Sequence, residues 1–102
     1  MTAFIQHDVK GVARLLVDQS IDPDRLHIHI SEIEPGTRAH PPHTHAGVEA
    51  FYVFEGEGVV EGGDERQPVR ANEAVVIDPG VLHGLVNTGQ VKMRYMVIIA
   101  KG

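Results

Sequence analysis

His43-Thr44-His45-Ala46-Gly47-Val48-Glu49 carries the strongest structural signal in this chain of 102 residues. Two imidazoles two residues apart face the same way on an extended strand, where side chains alternate with a period of two. On a helix they would point nearly opposite ways. Glu49 keeps the parity of both histidines, so a strand beginning at His43 would aim all three side chains at one point. A third imidazole, His83, follows much later behind the turn Pro79-Gly80. Three imidazoles and one carboxylate suit a divalent transition metal, and four such ligands in an octahedron leave two positions open for substrate or water. With seven histidines in the chain, one His-x-His pair arises readily by chance. Glu49 in phase, and His83 at the head of a separate strand, favour the metal.

Eleven glycines and six prolines punctuate the short Val- and Ile-rich runs on either side, the pattern of an all-β sandwich or barrel. Strands are predicted over 12–17, 26–33, 50–54, 59–61, 67–69, 74–77, 82–86 and 91–100, with no helix of three turns. His40-Pro41-Pro42 is stiff and extended, because each proline restricts its own backbone and that of the residue before it. In 26–33, Leu26, Ile28 and Ile30 alternate with His27, His29 and Ser31, which predicts the aliphatics on the core side and the histidines on the polar side. On the last strand Met93, Tyr95, Val97 and Ile99 are expected to face inward. Its opposite face is apolar as well and needs a cover, either a second sheet or a partner copy, so a homodimer is expected.

The length suits a single domain spanning 1–102. A net charge of −5, with nine Lys and Arg and no basic run, argues against nucleic acid or an anionic membrane as partner. The absence of cysteine excludes disulfides, thiolate ligands and cysteine nucleophiles. The first ten residues lack the apolar segment of a secretion signal, and no apolar run approaches spanning length, so a cytoplasmic location is expected. Gly56-Glu57-Gly58 lacks the third glycine of a nucleotide loop, no His-Glu-x-x-His occurs, and neither Ser20 nor Ser31 has the glycines of a nucleophile elbow.

The motif residues resemble the cupin superfamily. Its first motif is matched by Gly36, His43, His45, Glu49 and Gly56, and its second by Pro79, Gly80, His83 and Asn87. Three positions depart from the pattern: the loop between Gly36 and His43 is one residue longer, Asn72 stands where a glycine is usual, and Asp78 where a proline is usual. All three fall in turns, and asparagine tolerates the left-handed conformation. The resemblance implies a double-stranded β-helix, or jelly-roll barrel, with a metal held inside by His43, His45, Glu49 and His83. It names a site and not a reaction, because the same barrel serves oxygenases, isomerases, lyases and non-enzymatic binding modules.

Around that site His40 and Tyr95 are candidates to move protons. Arg38 is a candidate to hold an acidic group of a substrate at the barrel mouth, and Phe51 and Tyr95 to line the pocket and touch the ligand. Asn87 reads as a turn former. The expected function is a metal-dependent enzyme acting on a small organic substrate, either an oxygenase or an isomerase or lyase of a carbohydrate-like acid. The alternative is a non-enzymatic small-molecule-binding module. The donor set suits Fe, Mn and Ni and also admits Zn.

Overall fold

The computed structural model describes residues 3–5, Val12 and residues 15–101. Nine strands occur among them: β1 (Ala3–Ile5), β2 (Leu16–Asp18), β3 (Leu26–Ile33), β4 (Val48–Glu55), β5 (Glu57–Gly62), β6 (Glu65–Arg70), β7 (Ala74–Ile77), β8 (His83–Asn87) and β9 (Met93–Ala100). A 3-10 turn, Pro23–Arg25, precedes β3, with the Asp22 side chain accepting from the Asp24 backbone N–H. The all-β expectation holds, and most strands lie within two residues of their predicted bounds. The run predicted over 12–17 is shorter: Val12 sits in a bend, positions 13 and 14 lie outside the described residues, and the strand begins at Leu16. β1, which pairs with β2, was not predicted at all. No helix among the described residues is long and apolar enough to cross a membrane.

Two sheets build the barrel. One has the order β3-β9-β4-β7 and the other β6-β5-β8. The segment 36–43 runs as an irregular edge beside β8, antiparallel to it. Gly36 donates to the Asn87 carbonyl, Asn87 to Thr37, Ala39 to Leu85, and His43 and His83 exchange a reciprocal pair. The core lies between the sheets, with Phe51, Val53, Met93, Tyr95 and Val97 from one and Val60, Val69 and Leu85 from the other. Gly58 permits the close packing beneath them. A β-carbon there would strike the Val86 carbonyl oxygen and approach Met93 Cε to 2.8 Å. Asn72 takes φ 68°, the left-handed conformation that its place in the turn demands.

The faces of β3 are reversed relative to the sequence pattern. His27 lies opposite Ile99, which in turn lies opposite Glu49; His29 lies opposite Val97 and Phe51; Ser31 lies opposite Tyr95 and Val53. These rows face the barrel interior, and both histidines line its main cavity. The aliphatic rows run across the outside: Ile28, Ile98, Ala50 and Val76, then Ile30, Met96, Tyr52 and Ala74. The cause is register. β4 and β9 direct Phe51, Val53, Tyr95 and Val97 into the core, and pairing with β9 then decides which face of β3 accompanies them.

Candidate metal centre

The metal-ligand candidates do not share one strand, as the parity of His43, His45 and Glu49 suggested. His43 sits on the irregular edge beside β8, His45 in the following loop, Glu49 on β4 in the other sheet, and His83 at the start of β8. Gly47, at φ 104°, breaks the chain direction just before β4, and a β-carbon there would collide with the Ala100 carbonyl. The convergence survives because backbone bonds fix each piece. His43 N–H donates to the His83 carbonyl at 3.1 Å, His83 N–H to the His43 carbonyl at 3.0 Å, and His45 N–H to the Pro79 carbonyl at 2.8 Å.

One ring nitrogen from each of His43, His45 and His83 falls within 4.8 Å of the others. His45 Nε2 is 2.6 Å from Glu49 Oε1, and His83 Nε2 is 3.4 Å from the same oxygen. Local carbonyls orient two of the rings: His83 Nδ1 lies 2.9 Å from Val81 O, and His45 Nδ1 lies 3.0 Å from Ala46 O. With Nδ1 of each ring held by a carbonyl, Nε2 is the atom that faces Glu49. Glu49 is 3% exposed and His83 1%, and His83 Nε2 has no hydrogen-bond partner among the described residues. His45 Nε2 and Glu49 Oε1 are at hydrogen-bond distance, and a carboxylate buried beside two imidazoles needs a proton on a ring or a cation bound by all of them to balance its charge. These donors therefore fit a divalent ion. Burial chiefly, with the neighbouring imidazoles His40, His83 and His45 adding to it, holds the His43 pKa below its ordinary 6.5 against the opposing pull of Glu49. His43 thereby stays neutral, the form that ligates.

A cavity of about 530 Å³ opens onto His43 and Glu49. Phe51, Leu85, Val97 and Ile99 supply its apolar wall, and His27, His29, His40 and Tyr95 its polar groups. Phe51 packs edge-on against Tyr95 with ring centroids 6.3 Å apart, and both line the cavity. Tyr95 is buried, which raises its phenol pKa; a hydrogen bond with Ser31 opposes the shift and gives the hydroxyl a partner within the wall. His40 is exposed and lies with its ring 4.3 Å from that of His43, its Nδ1 2.9 Å from Pro41 O.

Arg38 does not reach this cavity. Its guanidinium is 2.7 Å from Glu61, which raises the Arg38 pKa and lowers that of Glu61, and both line a separate surface depression. Edge pairing with β8 turns the side chain outward, so the mouth position expected from sequence is not realised. His27 and His29 are the cavity groups that strand parity assigned to the other side. Asn87 is more than a turn former: fully buried, its Nδ2 donates to the Ile33 and Val91 carbonyls and its Oδ1 accepts from Gly89 N–H, all at 2.9 Å.

Comparison with known proteins agrees with this geometry. The cupin domain profile matches residues 29–99, which include every residue of the cluster. An oxalate-binding protein of Thermotoga maritima is 31% identical over 58 residues, 56% of this chain and 48% of that protein, so the match spans about half of the relative's length. An oxalate oxidase solved with the substrate analogue glycolate superposes with TM-score 0.68 at 26% identity, covering 76% of this chain and 42% of that one. A conserved protein with a double-stranded β-helix domain from Klebsiella pneumoniae gives TM-score 0.71 at 21% identity, covering 80% of this chain and 72% of that one. The double-stranded β-helix expected from the motifs is thus the fold, and the chain belongs to the cupin family.

Proposed function

We propose that the protein is a metal-dependent enzyme acting on a small organic acid bound in the barrel, with His43, His45, Glu49 and His83 as the metal ligands. The observation that carries this reading is the buried His83 Nε2, without a hydrogen-bond partner among the described residues and turned with His45 Nε2 towards the Glu49 carboxylate at the edge of a ligand-sized cavity. A bound divalent ion would supply Lewis acidity towards substrate oxygens and balance the Glu49 charge. The chain's own groups do the rest. Phe51, Leu85 and Val97 would exclude water and fix the body of the substrate, while His40 and Tyr95, which line the same cavity, would give or take protons. The names of two relatives, an oxalate-binding protein and an oxalate oxidase, favour an organic acid. Within this class, oxygenase chemistry and isomerase or lyase chemistry both suit the donor set.

The name of the oxalate-binding relative also supports a second reading, a binding module without turnover. One paired measurement separates them: elemental analysis of the purified protein, and a turnover and oxygen-consumption screen over small organic acids, sugars and phenols. The expected result is one metal ion per chain together with conversion of an organic acid. Binding without conversion selects the module, and failure to take up any metal at neutral pH ends both readings.

The outer face of the β3-β9-β4-β7 sheet supports pairing of two copies, since Ile28, Ile98, Ala50 and Val76 form an apolar row across four strands and Val76 is 70% exposed. Sedimentation velocity is expected to give a dimer; a monomer at high micromolar concentration would exclude it.

A further inference from the structure

His27 and His29 face the barrel interior from the strand that sequence parity had turned the other way. His27 Nε2 and His29 Nδ1 are 2.8 Å apart, and the rings meet edge to face with centroids 5.0 Å apart. One ring nitrogen therefore shares a proton with the other, which links the two imidazoles into a unit.

The pair's place relative to the metal cluster follows from register. His27, Ile99 and Glu49 form one row across three strands, so two strand spacings, roughly 10 Å, separate the backbone under His27 from that under Glu49. His29, Val97 and Phe51 form the next row. The stretch between the two polar ends is therefore hydrocarbon: Ile99, Val97 and Phe51 all line the cavity. Among the described residues lining it, Glu49 is the one carboxylate, and it belongs to the cluster. Among the described residues at the far end, a second anionic group of a ligand meets the imidazoles of His27 and His29.

We propose that the His27–His29 pair anchors the distal carboxylate of a diacid whose proximal carboxylate lies at the His43, His45, Glu49 and His83 cluster. This rests on the metal-dependent reading above and extends it to a ligand class: a saturated diacid longer than oxalate, with its methylene chain across Val97 and Phe51. The roughly 10 Å between the two backbone rows is longer than oxalate spans and of the order of a diacid of about three to five carbons with a contact at each end. His27 and His29 then determine specificity without ligating the metal.

The test uses the full chain loaded with Mn(II) or Zn(II). Metal content is measured first, and calorimetric titrations with oxalate, malonate, succinate and glutarate, and with propionate and butyrate as single-carboxylate controls, follow. For the wild type, malonate, succinate or glutarate is expected to bind at least about tenfold more tightly than oxalate and the monoacids. H27L/H29L is expected to keep one metal per chain and to lose that preference; the single variant H27Q, which keeps a polar side chain, checks against misfolding and is expected to retain part of it. An unchanged preference in H27L/H29L overturns the anchor while leaving the metal reading intact, as does a wild type that treats diacids and monoacids alike. Two metals per chain in the wild type and one in H27L/H29L would make the pair a ligand set and also overturn it. A wild type that takes up no metal removes the metal-dependent reading, and the anchor with it.

Discussion

His83→Ala is expected to abolish stoichiometric metal uptake, lowering affinity by more than the ~10–100-fold typical of groups that merely orient ligands. The expectation follows from three features of this one side chain. The Val81 carbonyl holds the ring by its Nδ1, so Nε2 has one fixed direction. That direction ends 3.4 Å from Glu49 Oε1 in a site where His83 is 1% exposed, and alanine offers no donor atom in its place. The backbone of position 83 also pairs with His43, but through main-chain atoms that alanine retains, so the edge carrying His43 should remain in register. Metal content and calorimetric affinity of H83A beside H27L check the claim. H27L should stay within a fewfold of the wild type. Equal losses in both would place the metal nearer to β3 than to Glu49, and a fully loaded H83A would remove His83 from the ligand set.

Asn87→Leu is expected to cost about 3 kcal/mol of folding stability, which in a domain of about 100 residues lowers the melting temperature by more than ~10 °C. Leucine is of similar size, so the loss is one of hydrogen bonds and not of volume. The side chain ties together the end of β3 through Ile33, the turn through Gly89 and the approach to β9 through Val91. With leucine present, two carbonyls and an amide would be left buried or half-buried with nothing in place of the lost bonds. Because position 87 ends β8 and His83 begins it, metal affinity below the melting transition should be nearly unchanged. A melting temperature within about 3 °C of the wild type would show that solvent or a local shift satisfies those groups.

Much of the site was legible in one dimension because its ligands are chemically distinctive. His43, His45, Glu49 and His83 stand out against a chain without cysteine, and their convergence required only that strands and turns fall roughly where the Gly and Pro residues place them. The reason for the convergence was less legible. A single strand from His43 to Glu49 was the simplest way to aim three side chains together, yet Gly47 interrupts it and the ligands come from both sheets. Arg38 was invisible in another way: nothing in its neighbourhood in sequence discloses that Glu61, 23 positions away, holds its guanidinium. Asn87 likewise looks like any turn asparagine until Ile33, 54 positions earlier, is brought beside it.

The amino-acid sequence by itself determined most of the strand content, the turns and the candidate set of metal-ligating donors, because alternation, Gly and Pro backbone preferences and ligand chemistry are local properties. Tertiary structure alone decided which face of β3 is inside. On β3 the alternation of Leu26, Ile28 and Ile30 with His27, His29 and Ser31 separates two faces cleanly but does not orient them. Orientation came from pairing with β9, whose Tyr95 and Val97 had already committed to the core, and it delivered two histidines into the cavity and an aliphatic row to the surface.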